Sequence, residues 1–293
     1  MFFQYEQIFL QKFLIKIKNI FFSCFFLKKS DFLSNFAKKL SIIMSKTDFL
    51  KNIPPVTLNL LIINVLFFLA TNLVSTHFGV NLYKFLGLHF IKSSFFYPFQ
   101  LISYMFMHGN WAHLFFNMFG LFMFGRVLEY YWGGKKFLLF YFIAGIGAGL
   151  IQEIVWYVEY ISVIKNVSYE NLLMIKQEGY AILKNNQNYV DKFLGKLNLL
   201  LNAPTVGASG SLFGILFAFG FMFPKEKIML IFLPIPIPAR IFVILYAVAE
   251  LFFGVANFSW DNIAHFAHLG GALFGLIMIF WWRKKGKLFN RQI

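Results

Sequence analysis

Six apolar stretches, at about 58–76, 112–132, 136–158, 206–223, 239–257 and 262–282, constrain this 293-residue chain more than any other feature. Each approaches the roughly 20 residues that cross about 30 Å of hydrocarbon as an α-helix. No water in that layer pairs an exposed backbone, so an open sheet is excluded and every stretch is expected to be helical. Hydrophobic residues make up 59% of the chain and charged ones only 13%, outside the range of a soluble domain. The expected fold is an all-α membrane protein, a six-helix bundle.

The formal net charge of +15 raises the question of nucleic acid, and its distribution answers it. Basic residues gather before Thr57, at Arg126 with Lys135 and Lys136, at Lys225 with Lys227 and Arg240, and in Arg283-Lys284-Lys285-Gly286-Lys287. These clusters sit beside alternate helix ends. By the positive-inside rule both termini are expected in the cytoplasm, with 77–111, 159–205 and 258–261 facing outward. No basic face interleaved with exposed aromatics is present, so a nucleic-acid partner is not expected. Cys24 is the only cysteine, which rules out an intramolecular disulfide and a cysteine-built metal site.

Pro54-Pro55 breaks the chain before the first span. The expected organisation is therefore a Phe/Lys-rich cytoplasmic extension over 1–50 and a membrane domain over 51–293. The apolar runs of residues 1–43 are short and interrupted by Lys. They read either as an interfacial amphipathic segment or as sequence ahead of a true start at Met44, since no small-residue cleavage site follows them. The outer connection 159–205 is too long for a structureless loop, and a helix is expected around Tyr169 to Lys184. Pro234, Pro236 and Pro238 exclude regular helix before the fifth span.

The fourth span opens on Gly207-Ala208-Ser209-Gly210. A hydroxyl in the first turn of a helix faces orphan backbone N–H groups and the positive end of the helix dipole, an arrangement suited to a developing oxyanion. From Gly207 this span has about 17 residues, roughly 25 Å at 1.5 Å each, and is shorter than the hydrocarbon is thick. With its cytoplasmic end flush, Ser209 lies roughly 8 Å below the outer surface, and His268, six residues into the sixth span, lies roughly 9 Å down. Backbone ahead of Gly207 must then be buried in protein or line water. An ionisable group inside a span is itself a functional hypothesis. Small residues at Gly210, Gly214 and Ala218, and at Ala264, Gly271 and Gly275 on the face of His268, permit close helix approach, whether as ordinary packing seams or to bring serine and histidine together.

His113 and Asn117 are four apart and share a helical face. They suit either hydrogen bonds to an oxyanion, beside the Ser209 N–H, or hydrogen bonds between helices. His108, just ahead of that helix, is expected to order the loop. No buried carboxylate was found to complete a triad around His268: Asp261 is read as a helix cap, so a Ser209–His268 dyad is expected. His265 ranks second as base and Ser211 second as nucleophile. Glu129, with Arg126, is assigned a structural hydrogen-bonding or ion-pair role.

The set His108-x4-His113-x3-Asn117, Gly125-x3-Glu129-x3-Gly133, Gly207-Ala208-Ser209-Gly210 and Ala267-His268-x-Gly270-Gly271 resembles the signature of the rhomboid intramembrane serine proteases, of the bacterial six-helix type. The resemblance runs from about Pro54 to Trp282. It implies hydrolysis of peptide bonds in or near transmembrane segments of membrane proteins, Ser209 as nucleophile and His268 as general base. It also implies an oxyanion hole with His113 and Asn117, with Gly207, Gly210, Gly271 and His108 in support. Substrate entry near the fifth span, capped by 258–261, and a bacterial cytoplasmic membrane location with the site opening outward follow likewise. The Trp-Arg pair of some members is not visible between 77 and 111. No cofactor or metal is expected. The alternatives are a catalytically inactive relative that binds or escorts client transmembrane helices, a metal or haem protein using His108, His113, His265 and His268, and a transporter. The H-E-x-x-H helix of zinc proteases and the inverted repeats of transporters are missing. The sequence leaves oligomeric state open.

Overall fold

The computed structural model of the protein describes residues 52–230, 233–256 and 264–288. The chain divides into two compact units, Met1–Ile53 and Pro54–Ile293. The first lies almost wholly outside the described residues, as do both readings of 1–43, the Asp261 cap and the 258–261 loop.

Five described helices are long and apolar enough to cross a membrane, and a sixth apolar helix, Ser209–Met222, is shorter. Helix α1, Pro55–Phe78, starts where the two prolines fix an entry geometry compatible with helix, and stops at Gly79, whose φ of 66° is left-handed. Its N-terminus receives no cap from Pro54. The Glu129 carboxylate supplies one from the second span, accepting hydrogen bonds from Val56 N (2.9 Å), Thr57 N (2.6 Å) and Thr57 Oγ1 (2.7 Å). A carboxylate at a helix N-terminus satisfies orphan donors and opposes the dipole, which gives the expected structural role of Glu129 its content. Because Glu129 is buried, Glu129→Ala is expected to cost about 2–5 kcal/mol, read as a lower midpoint in detergent unfolding; an unchanged midpoint would refute the capping role.

The connection from Gly79 to Asn110 carries two short helices, α2 (Leu82–Leu86) and α3 (Gln100–Ser103), and a 3-10 turn over Tyr104–Phe106. It is folded against the bundle: Leu88, Phe90, Met105 and Met107 are buried. Buried Gln100 ties it together, accepting from His89 N and donating to the Phe85 and Phe95 carbonyls. The second span is α4 (Trp111–Gly120), a π turn over Leu121–Gly125, and α5 (Arg126–Trp132). Asn110 caps α4 by accepting from His113 N at 2.8 Å. Helix α6, Gly134–Ile164, is longer than the 136–158 read from hydropathy.

The connection expected to face outward, 159–205, holds α7, Tyr169–Lys184, as expected, and α8, Lys192–Asn202, which was not. Asp191 caps α8 through Phe193 N and Leu194 N, both 2.9 Å. The two helices meet where Gly179 leaves no side chain between α7 and the Asn198–Asn202 pair of α8. Helix α9, Ser209–Met222, has 14 residues, roughly 21 Å, so the expected short fourth helix is present. The proline-rich segment after it is not irregular: β1 (Lys227–Leu230) and β2 (Leu233–Pro238) pair antiparallel, with Ile228 opposite Ile237. Proline is tolerated on the open side of an edge strand. Helices α10, Ala239–Ala256, and α11, His265–Lys284, complete the bundle.

Glycines set its centre, where α6, α9 and α11 meet. A Cβ on Gly271 would overlap the Gly210 carbonyl, and one on Gly275 would lie 2.9 Å from Gly214 Cα. One on Gly214 would lie 2.6 Å from the Ala144 Cβ of α6. The two small-residue faces therefore do meet each other.

Candidate active site

The turn into α9 fixes the serine. Thr205 and Leu88 exchange backbone hydrogen bonds of 2.9 and 2.8 Å, and Gly207 N donates to the Tyr104 carbonyl at 2.9 Å. The backbone ahead of the helix is thus paired with protein at Thr205 and Gly207, as the expected depth would require. Gly207 has φ 130°, a conformation open to glycine alone. A Cβ there would also stand 2.7 Å from His113 Nε2 and 3.5 Å from Ser209 Oγ. Glycine thus permits both the turn and the approach of the histidine. Ala208 follows, buried, and Ser209 begins the helix, its N–H and that of Gly210 lacking intrahelical acceptors by geometry.

Ser209 Oγ lies 2.8 Å from His268 Nε2, within the reach that a nucleophile and its base require. The imidazole is held on its face by Phe213, stacked at 4.3 Å and 7°, from the same helix as Ser209. The seam beneath this pair makes a direct prediction. Gly271→Ala drives a methyl into the Gly210 carbonyl one residue from Ser209, and backbone cannot yield as a side-chain tip does. Expected are a destabilisation of about 1–3 kcal/mol and loss of any Ser209-dependent activity, checked by thermal melting and serine labelling; wild-type behaviour in both would show that the helices part freely.

The expectation that no buried carboxylate reaches His268 is overturned. Glu250, in the middle of α10, is buried and places Oε2 3.0 Å from His268 Nδ1 and 2.7 Å from His265 Nδ1. Asp261 is the nearest carboxylate to the histidine in sequence, whereas this carboxylate arrives from the preceding span. Its signal was available: Glu250 is the only acidic residue between 239 and 257, and an intramembrane carboxylate is a functional hypothesis by default. With both Nδ1 atoms donating to Glu250, each imidazole keeps its lone pair on Nε2, which for His268 is the nitrogen facing Ser209.

His265, the second-ranked base, is buried and engages Glu250, its ring stacked on Phe253 at 5.8 Å and 22°. Ser211, the second-ranked nucleophile, is buried and donates to the Tyr141 carbonyl at 2.9 Å, which fixes it in helix packing. His113 Nδ1 faces Gly109 N at 3.5 Å; as an acceptor there it carries its proton on Nε2, the nitrogen nearest Gly207. Asn117 spends one amide N–H on the His113 carbonyl at 2.8 Å. His108 is buried edge-on to His113, ring centroids 5.1 Å apart, and its carbonyl accepts from Tyr83 OH. Burial holds the His108 imidazole down to about 3, so it packs as a neutral ring, consistent with the ordering role expected of it. The four histidines do not converge on one metal. Among the described residues the one group able to do so is Glu250, His265 and His268.

Comparison with known proteins supplies the context. The family model described as Rhomboid domain matches residues 96–285. Rhomboid protein 1, mitochondrial, of Saccharomyces cerevisiae is 28% identical over 193 residues, 66% of this chain and 44% of that protein. Rhomboid-like protein 11, chloroplastic, of Arabidopsis thaliana is 27% identical over 216 residues, 68% of this chain and 61% of that protein. The chain spans about half the length of these curated relatives.

Proposed function

The chain belongs to the rhomboid family, and on that premise we propose that it is an intramembrane serine endopeptidase cleaving peptide bonds in or near transmembrane segments of membrane proteins. The observation that carries this reading is the 2.8 Å contact between Ser209 Oγ and His268 Nε2 at the start of the short helix α9. In the reaction, neutral His268 takes the Ser209 proton as the oxygen attacks the scissile carbonyl, then returns a proton to the leaving amine. Water afterwards releases the acyl-enzyme, with His268 again the base.

The oxyanion is assigned to the first-turn N–H groups of α9, the His113 Nε2–H and the second amide N–H of Asn117. Glu250 is assigned as a positioning residue, holding His268 in the competent tautomer and stabilising the imidazolium. The site expected as a dyad is therefore proposed as Ser209–His268 with Glu250 behind it. The reading extends to substrate entry at α10, supported by that helix being the least buried of the candidate spans, at 17%. It includes a bacterial cytoplasmic membrane, with both termini inside and the site opening outward, an orientation supported by the basic clusters at alternate helix ends.

The test is reconstitution of the protein in lipid vesicles with a panel of single-span substrates, alongside labelling by a fluorophosphonate. Cleavage together with labelling at Ser209 is the expected result. Client binding without labelling or cleavage would instead establish the inactive, escorting alternative.

A further inference from the structure

We propose that Glu250, His265 and His268 form an inhibitory site for zinc, in which the metal is bound by the two imidazole Nδ1 atoms and the carboxylate and disables the base by its choice of nitrogen. The three donor atoms lie within 4.8 Å of one another, and both nitrogens converge on one oxygen, Glu250 Oε2, at 2.7 and 3.0 Å. Tetrahedral zinc, with bonds near 2.0–2.2 Å, needs its ligand atoms roughly 3.4 Å apart. The site therefore needs a small outward shift of the carboxylate, with the two imidazole nitrogens, within 4.8 Å of each other, settling to the same spacing. Phe213 and Phe253 stack on the two rings and keep both Nδ1 atoms aimed inward. Two imidazoles with a single carboxylate suit zinc and its first-row neighbours; calcium and magnesium prefer more oxygens.

The consequence for the reaction is a matter of proton placement. In the metal-free arrangement His268 carries its proton on Nδ1, bonded to Glu250, and offers Nε2 to Ser209. A metal on Nδ1 obliges the neutral ring to carry its proton on Nε2. The ring loses and gains no net proton, yet the nitrogen facing Ser209 becomes a donor and no longer accepts the serine proton. Zinc at this position is an inhibitor and takes no part in turnover.

Inhibition rests on the serine-protease reading above, whereas metal binding does not, so two measurements are paired. In the first, cleavage and fluorophosphonate labelling are titrated with Zn2+ and reversed with a chelator, each variant being normalised to its own zinc-free rate. His265→Gln keeps an N–H donor toward Glu250 but removes an imidazole ligand. It is expected to raise the half-inhibitory zinc concentration by at least the roughly 10–100-fold that loss of an outer-shell partner costs. In the second, Co2+ is bound to full-length Ser209→Ala protein, which has no turnover to lose; an intense tetrahedral cobalt spectrum is expected and should vanish in Ser209→Ala/His265→Gln. Equal zinc sensitivity with and without His265 would overturn the proposal, as would a cobalt spectrum indifferent to His265. A cobalt spectrum that depends on His265 in a chain that cleaves nothing would retain the metal site and remove only the protease reading.

Discussion

Ser209→Ala is expected to reduce cleavage of a single-span substrate by on the order of 10⁴–10⁶-fold, and His268→Ala by a similar factor. In the proposed reaction Ser209 supplies the attacking atom and His268, 2.8 Å away, removes its proton, so neither works without the other. The effects must therefore fail to add: the double variant should be no slower than either single one, because nothing is left to lose after the first substitution. Residual rate would come from the oxyanion donors and substrate positioning alone. Measured as kcat/KM in vesicles, with fluorophosphonate labelling as a second readout, undiminished cleavage in Ser209→Ala would sink the mechanism. Activity persisting in His268→Ala would transfer the base role to His265, whose Nδ1 already engages the same carboxylate. Ser209→Ala removes one hydroxyl and is expected to melt near the wild-type temperature; His268→Ala also removes the ring stacked on Phe213 and one partner of buried Glu250, so it is expected to melt lower and its rate is compared per folded molecule.

How much of this was legible in the sequence follows from what each feature depends on. The spans, the short fourth helix and the meeting of its glycine face with that of α11 follow from local composition and spacing, because lipid obliges helices and small residues permit close approach. The level placement of Ser209 and His268 came from rise per residue alone. What escaped was long-range or conditional on backbone pairing. The β1–β2 ribbon depends on a partner strand, and Pro234, Pro236 and Pro238 announce only the absence of helix. Helix α8 escaped because its signals, the Asp191 cap and the apolar Leu194, Leu197 and Leu201, lie in a segment whose overall polarity masks them. Glu129 was assigned a structural role, but that it caps α1 across 72 residues of sequence is a fact of tertiary packing. Glu250 escaped for a different reason: it looked like one charge in an apolar span, and only the crossing of α10 against α11 turns that charge toward two histidines.

That carboxylate carries the second large effect. Glu250→Gln is expected to lower kcat by on the order of 10²–10⁴-fold while leaving KM nearly unchanged, since in the proposed reaction Glu250 acts through His268 and not on the substrate. Both Nδ1 atoms face the single Oε2, where an amide carbonyl could still accept from them but without the charge, while the flipped amide would present its NH2 instead. Whenever the amide NH2 faces His268, the ring is pushed to the tautomer with its proton on Nε2, and Ser209 loses its acceptor. The imidazolium formed during attack also loses its counter-charge. Glu250→Asp retains the charge on a shorter stem and should recover part of the rate, whereas Glu250→Ala should both abolish turnover and lower the melting temperature by depriving the Nδ1 atoms of two buried imidazoles of this acceptor. A purely structural role predicts a different pattern: fewer folded molecules, each with normal kcat. Active-site titration with a fluorophosphonate separates the two, because it counts competent serines. Wild-type kcat per titrated site in Glu250→Gln would return the reaction to Ser209 and His268 alone. A slow, uniform population that Glu250→Asp partly restores is the result the 2.7 and 3.0 Å contacts of this one oxygen lead us to expect.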